Sequence, residues 1–130
     1  MSGPTARDRR YRPCVTVSAA QAAAFFAEVQ TGGEVFAIKD DKGFPAPEGS
    51  AHGRAMPFWS KRSRAENVCN RVAAYQGFEV VAIPVQEWRE RWLPGLARDG
   101  LAVGINWSGA RATGYDSTPD EILARLNATT

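Results

Sequence analysis

The sequence predicts a single α/β or α+β domain in the order α-β-β-α-β-α-β-β-α, with helices packed on a mixed sheet of about five strands. Three observations carry this. Apolar residues recur at helical spacing in some segments and run continuously or alternate in others. Glycine, proline and acidic turn clusters fall between those segments. A length of 130 residues, 44% of them hydrophobic, is enough for one core without metals or disulfides. Alanine supplies 21 of the hydrophobic residues, so the core is modest in size and anchored by Trp59, Trp88, Trp92 and Trp107.

The first element is a helix over about Ala19–Gln30, opened by a Ser18/Gln21 capping box and carrying Ala22, Phe25, Phe26 and Val29 on one face. Thr31-Gly32-Gly33 ends it. Glu34–Lys39, with Val35, Phe36 and Ile38, reads as a strand, and Asp40-Asp41-Lys42-Gly43 as a turn whose acids are turn formers rather than ligands. Phe44–Arg54 holds two prolines, two glycines and the sole histidine, His52, a composition that makes it a long surface loop. Ala55–Trp59 is a short strand that Pro57 confines to an edge or to the strand start. The next helix begins at Ser60 or Ser63 and runs to about Tyr75.

Phe78–Ile83, almost continuously apolar, is expected as a central strand covered on both faces. Pro84 then starts a helix whose Trp88, Trp92 and Leu96 form a core-facing stripe, kinked or divided at Pro94-Gly95 and stopped at Asp99-Gly100. Leu101–Trp107 and Arg111–Tyr115 form a hairpin around Ser108-Gly109-Ala110. Thr118-Pro-Asp-Glu121 combines an N-cap, proline at N1 and glutamate at N3, and opens a last helix ending near Leu126.

The formal charge of +2 is local. Residues 1–13 hold Arg7, Arg9, Arg10 and Arg12 against Asp8; without them, twelve basic residues face thirteen acidic ones. The expectation is a disordered basic tail over residues 1–13 and one globular domain over 14–130, with no nucleic-acid partner. No signal peptide and no run near the roughly 20 apolar residues of a membrane span are present, which points to a cytoplasmic protein off the membrane. Cys14 and Cys69 have neither disulfide-framework nor zinc-ligand spacing, and read as reduced structural thiols.

Catalytic patterns are equally scarce. His52 has no adjacent serine or cysteine motif to serve as a base, and one histidine with two distant cysteines makes no transition-metal set. Neither phosphate-cradling glycine motif occurs, so no cofactor is expected. The acid pairs Asp40/Asp41 and Asp120/Glu121 fall in turn and capping positions. What remains is a recognition composition: Arg54, Phe58, Trp59, Arg64, Trp107, Arg111 and Tyr115 end strands or face the long loop. For Trp59 and Trp107, half-buried core is the competing role.

The ordered set Ala55-Met-Pro-Phe-Trp-Ser60, Ser63-Arg-Ala-Glu66, Tyr75-Gln-Gly-Phe-Glu-Val80, Trp92-Leu-Pro-Gly-Leu96, Asp99-Gly100 and Gly104-Ile-Asn-Trp-Ser-Gly109 resembles the bacterial domain of unknown function family 2750, over about Ser18–Leu126. That resemblance implies a bacterial single-domain protein and supplies no activity, cofactor or site residue. The strand, loop, Pro-Phe-Trp-Ser and helix order is also faintly similar to the N-terminal domain of secretion-enhancer-like proteins.

The functional expectation is a non-catalytic protein-interaction module, monomeric or homodimeric, with Arg54, Trp59, Arg64, Trp107, Arg111 and Tyr115 as its binding residues. Two alternatives stand beside it: a domain binding a small anionic ligand through Arg54, Arg64 or Arg111, and an enzyme using carboxylates alone.

Overall fold

The computed structural model describes residues 17–47, 53–108 and 113–128, apart from the side chains at 17–19, 21, 113–115 and 128. Helices α1 (Val17–Gly32), α2 (Arg62–Arg71), α3 (Val85–Glu87), α4 (Leu93–Arg98) and α5 (Pro119–Ala128) accompany strands β1 (Glu34–Lys39), β2 (Ala55–Phe58), β3 (Glu79–Pro84), β4 (Ala102–Ser108) and β5 (Thr113–Ser117). This is an α+β domain in the order the sequence predicts. The basic residues of 1–13, with Cys14 and His52, lie outside the described residues.

Strand β1 pairs antiparallel with β3, and β2 lies parallel to β4, which pairs antiparallel with β5. A single bridge joins the two ladders: Phe36 and Trp59 exchange both main-chain hydrogen bonds at 2.8 Å. Strand alternation turns the Pro57 backbone to the same side as that of Trp59, and proline has no N–H to donate there. The β1–β2 ladder therefore stops after one bridge, and the expected five-stranded sheet becomes two sheets in the spatial order β3-β1-β2-β4-β5. Pro57 thus lies on an edge strand of the β2-β4-β5 sheet, as expected, and is buried where the two sheets part, so its missing donor interrupts no ladder within that sheet.

Strand β3 departs from its expected central place. Among the described residues it pairs only with β1, and Val80, Val81 and Ala82 are half-buried. An apolar run records hydrophobicity on both faces but not the presence of a neighbour on each side.

Side-chain alternation in β1 feeds two cores. Val35 and Ala37 enter a cluster with Phe25, Val29, Phe58, Trp88, Leu96, Ile105, Ile122 and Leu126, under α1, α4 and α5. Phe36 and Ile38 enter a second cluster with Trp59, Val68, Cys69, Val72 and Trp107, under α2.

Several starts and stops differ from their sequence signals. Ser18 lies within α1, and neither Ser60 nor Ser63 caps α2: its N-cap is Lys61, without a side-chain cap bond. That helix stops at Arg71 and is followed by a 3₁₀ turn, Ala73–Tyr75. Division of the tryptophan helix comes before Pro94, as a π-helical segment Trp88–Trp92 in which Leu93 N–H reaches the Trp88 carbonyl. The cap at α5 forms as expected: Glu121 N–H donates to Thr118 Oγ1 (3.2 Å) and Thr118 N–H to Glu121 Oε1 (3.1 Å). At the end of α4, Gly100 takes φ 72° and Leu101 N–H reaches back to the Leu96 carbonyl at 2.9 Å, a Schellman closure. Asp40 acts as a turn former, its Oδ1 accepting from Lys42 N–H at 2.9 Å.

Candidate functional site

The motif residues Pro57-Phe-Trp-Ser and Gly104-Ile-Asn-Trp-Ser interlock as one buried junction. Trp59 is fully buried and its Nε1–H donates to the Trp107 carbonyl at 2.8 Å. Ser60 N–H donates to Asn106 Oδ1 at 3.0 Å, and Asn106 Nδ2 donates to Ser60 Oγ at 3.0 Å. Asn106 has φ 47°, the left-handed conformation that asparagine tolerates better than other side chains. It sits where three steps on β4, from Ile105 to Ser108, face two on β5, from Tyr115 to Thr113, which is a β-bulge. The Trp107 ring lies so close over Gly104 that a Cβ there would stand 2.4 Å from its Cε2. Trp59 and Trp107 are therefore interior residues and present no surface to a partner.

The junction continues outward through charge. Ser60 Oγ–H donates to Glu28 Oε1 at 2.5 Å, and Arg64 clamps the same carboxylate through Nε at 3.2 Å and Nη2 at 2.9 Å. Lys61 Nζ stands 3.8 Å away. The Arg64 hydrogen bond holds the Glu28 carboxyl below its ordinary range, against the opposing effect of burial, with Ser60 and the Arg64 and Lys61 charges adding to the lowering. A carboxylate so held accepts hydrogen bonds well and removes protons poorly at neutral pH. Burial, with Glu66 nearby, pushes the Cys69 thiol up and keeps it in its unreactive protonated form.

The other expected site residues are scattered. Arg54 is exposed and its Nε donates to the Ala46 carbonyl at 2.8 Å, tying the described ends of the long loop together. Tyr115 pairs by backbone with Ile105, and Arg111 lies outside the described residues.

Instead, the structure shows a surface hollow of about 300 Å³ between β2 and the π–α4 segment. Met56, Trp92, Leu96 and Leu101 give it an apolar floor, Glu87, Arg91 and Asp99 a charged rim, and Gly95 an open wall. The π turn adds a residue where an α-helix would keep Trp88 and Trp92 on one stripe; Trp88 is fully buried, while Trp92 is half-buried at the hollow. Phe44, in the long loop, meets the Trp92 ring edge to face at 4.9 Å, and Phe58 meets it at 5.9 Å. These contacts fix the indole as a rigid wall next to the loop. Among the described residues, Glu87, Arg91 and Asp99 are in no ion pair. The core-facing stripe holds at Trp88 and Leu96, both in the first cluster, and departs at Trp92, half-buried at a hollow that the sequence signalled locally only through Pro94-Gly95.

The model of the protein family of unknown function DUF2750 matches residues 22–126. The chain belongs to this family. No curated protein matches it. The family match takes in both interlocking motifs and every residue of the hollow, and it assigns none of them an activity. Among the described residues no group of three or more His, Cys, Asp or Glu side chains could hold a metal ion, and no helix is long and apolar enough to cross a membrane.

Proposed function

We propose that this DUF2750 member is a non-catalytic protein-interaction module of the bacterial cytoplasm that seats an apolar side chain of a protein partner in the hollow beside the Phe44–Pro47 segment. The observation that carries the proposal is the half-buried apolar floor open to solvent, with Trp92 packed between Phe44 and Phe58 and a rim of charges that form no ion pair among the described residues. Rigid aromatic walls with little rotamer entropy to lose are where interface energy concentrates. Glu87 and Asp99 with Arg91 and the adjacent Arg98 give the rim charges of both signs, which suits a partner segment with polar or charged residues next to its apolar anchor.

Of the arginines expected to bind a small anion, Arg54 and Arg64 are already engaged with Ala46 and Glu28. Glu28 offers little to an enzyme working by carboxylates alone, because Arg64 holds it ionised in an ion pair.

Gly95 makes the test clean. A Cβ added there would meet only Arg98 Nη2, at 3.7 Å, so Gly95→Leu fills the hollow from a helical backbone that accepts it. Affinity capture from the native lysate followed by native mass spectrometry is expected to give a stoichiometric protein partner with the wild type and none with Gly95→Leu at equal thermal stability. A partner retained by Gly95→Leu, or a bound metabolite in place of a protein, overturns the proposal.

A further inference from the structure

The outer edge of β3 carries an unanswered row of main-chain groups. Phe36 spends its N–H and C=O on Trp59, so the facing pair Phe36/Ala82 exchanges no hydrogen bonds, and neither does Ile38/Val80 two residues along. The Val85 N–H to Gly33 carbonyl bond, at 2.9 Å, falls on the same alternation. The N–H and C=O of Val80 and Ala82 therefore point away from β1, and among the described residues nothing pairs with them. Both residues are half-buried, as is Val81 between them. Pro84, at the next outward position, has no N–H to offer, and Phe78 N–H at the preceding one is taken by the Tyr75 carbonyl. The outward N–H donors of the strand are thus limited to Val80 and Ala82, each beside its own outward carbonyl.

We infer that β3 is a homodimer edge, pairing antiparallel with β3 of a second copy about a two-fold axis through Val81. Three such registers bring the outward groups face to face. Centred on Val80, the pairing sets Ala82 against Phe78, whose N–H is engaged; centred on Ala82, it sets Val80 against Pro84, which has none. Centred on Val81, Val80 of each copy meets Ala82 of the other, and all four groups on each strand find mates in four hydrogen bonds. The same register places each Glu79 opposite Ile83 of the other copy, so the only charged side chains on the strand stand at opposite ends instead of facing each other. No lysine and no bulge interrupts Val80–Ala82, and these are the usual means of blocking such pairing. Four hydrogen bonds are small beside the roughly 1,000 Å² of a lasting interface. The half-buried Tyr75–Phe78 pair, its rings 5.3 Å apart next to this edge, and the three strand side chains supply the apolar area. Such a contact forms and dissociates with concentration.

Light scattering coupled to size exclusion, run over a concentration series on the full chain, is expected to show a mass rising from 14.1 kDa toward twice that value. Ala82→Pro removes only an N–H that the monomer leaves unpaired, as proline on an outer edge allows; it is expected to abolish the rise while keeping the circular dichroism of the wild type. Val81→Cys in a Cys14→Ser background gives a second readout that does not depend on proline. The central pair is of the close, non-hydrogen-bonded kind, so mild oxidation is expected to give a covalent dimer, and the same treatment of Ala97→Cys, exposed on α4, is not. A wild type that stays at 14.1 kDa at every concentration, or a dimer that persists in Ala82→Pro without a Val81→Cys cross-link, overturns the inference.

Discussion

Trp59 shows how a residue type suited to interfaces serves the interior. Its indole is fully buried and its N–H satisfies the Trp107 carbonyl, so Trp59→Ala both opens a cavity and leaves a buried carbonyl without its donor. The expected cost is about 3–5 kcal/mol, read as a loss of most of the chain's stability in urea denaturation. Glu28 makes a prediction of a different kind. Its folded-state pKa lies below the ordinary 4.5, so the folded chain binds fewer protons than the unfolded one as acid is added. The stability it contributes is whole above about pH 4.5 and is lost as the pH falls through the lowered value. Glu28→Gln is expected to reduce stability at pH 7 modestly, by up to about 1 kcal/mol for a partly exposed pair, and to flatten the decline below about pH 4.5 in a melting series. An unchanged acid limb would assign that decline to other carboxylates.

At the scale of elements, local chemistry was legible in part, the Ser63–Glu66 box failing although it too is local, and neighbourhood was not. The Thr118–Glu121 box, the Gly100 stop and the Asp40 turn need only residues a few positions apart, and each formed where its signal stood. Ser60 failed as a cap because Glu28 and Asn106, 32 and 46 positions away, engage its side chain. The same holds for β3: its composition could report two apolar faces but not that its outer side would lie open. The hollow depends on the π turn bringing Trp92 up to Phe44, a contact that no periodicity encodes. The α5 cap offers a direct check, since Thr118→Ala removes the acceptor for Glu121 N–H and is expected to cost about 1 kcal/mol in a urea midpoint comparison.

Across the whole molecule, two cores lie on opposite sides of one shared strand. Val35 and Ala37 face the cluster under α1, α4 and α5, while Phe36 and Ile38 face the cluster under α2. The two sheets are joined by one bridge, which by hydrogen bonds alone is a weak seam. The side chains at that seam bind more strongly than its backbone: Trp59 belongs to the second core, Phe58 just before it to the first, and β4 contributes Ile105 to one and Trp107 to the other. Neither core can lose its packing without disordering strands that the other needs. Val68→Ala, in α2, and Leu126→Ala, in α5, lie in different clusters, and each is expected to lower the unfolding free energy from urea titration by a core-truncation amount of about 1–4 kcal/mol. Each is also expected to keep a single transition of unchanged slope, and fluorescence of the four tryptophans should coincide with circular dichroism throughout. If Val68→Ala instead splits the transition, with the α2 side melting first, the seam at Phe36 and Trp59 separates two units that unfold independently.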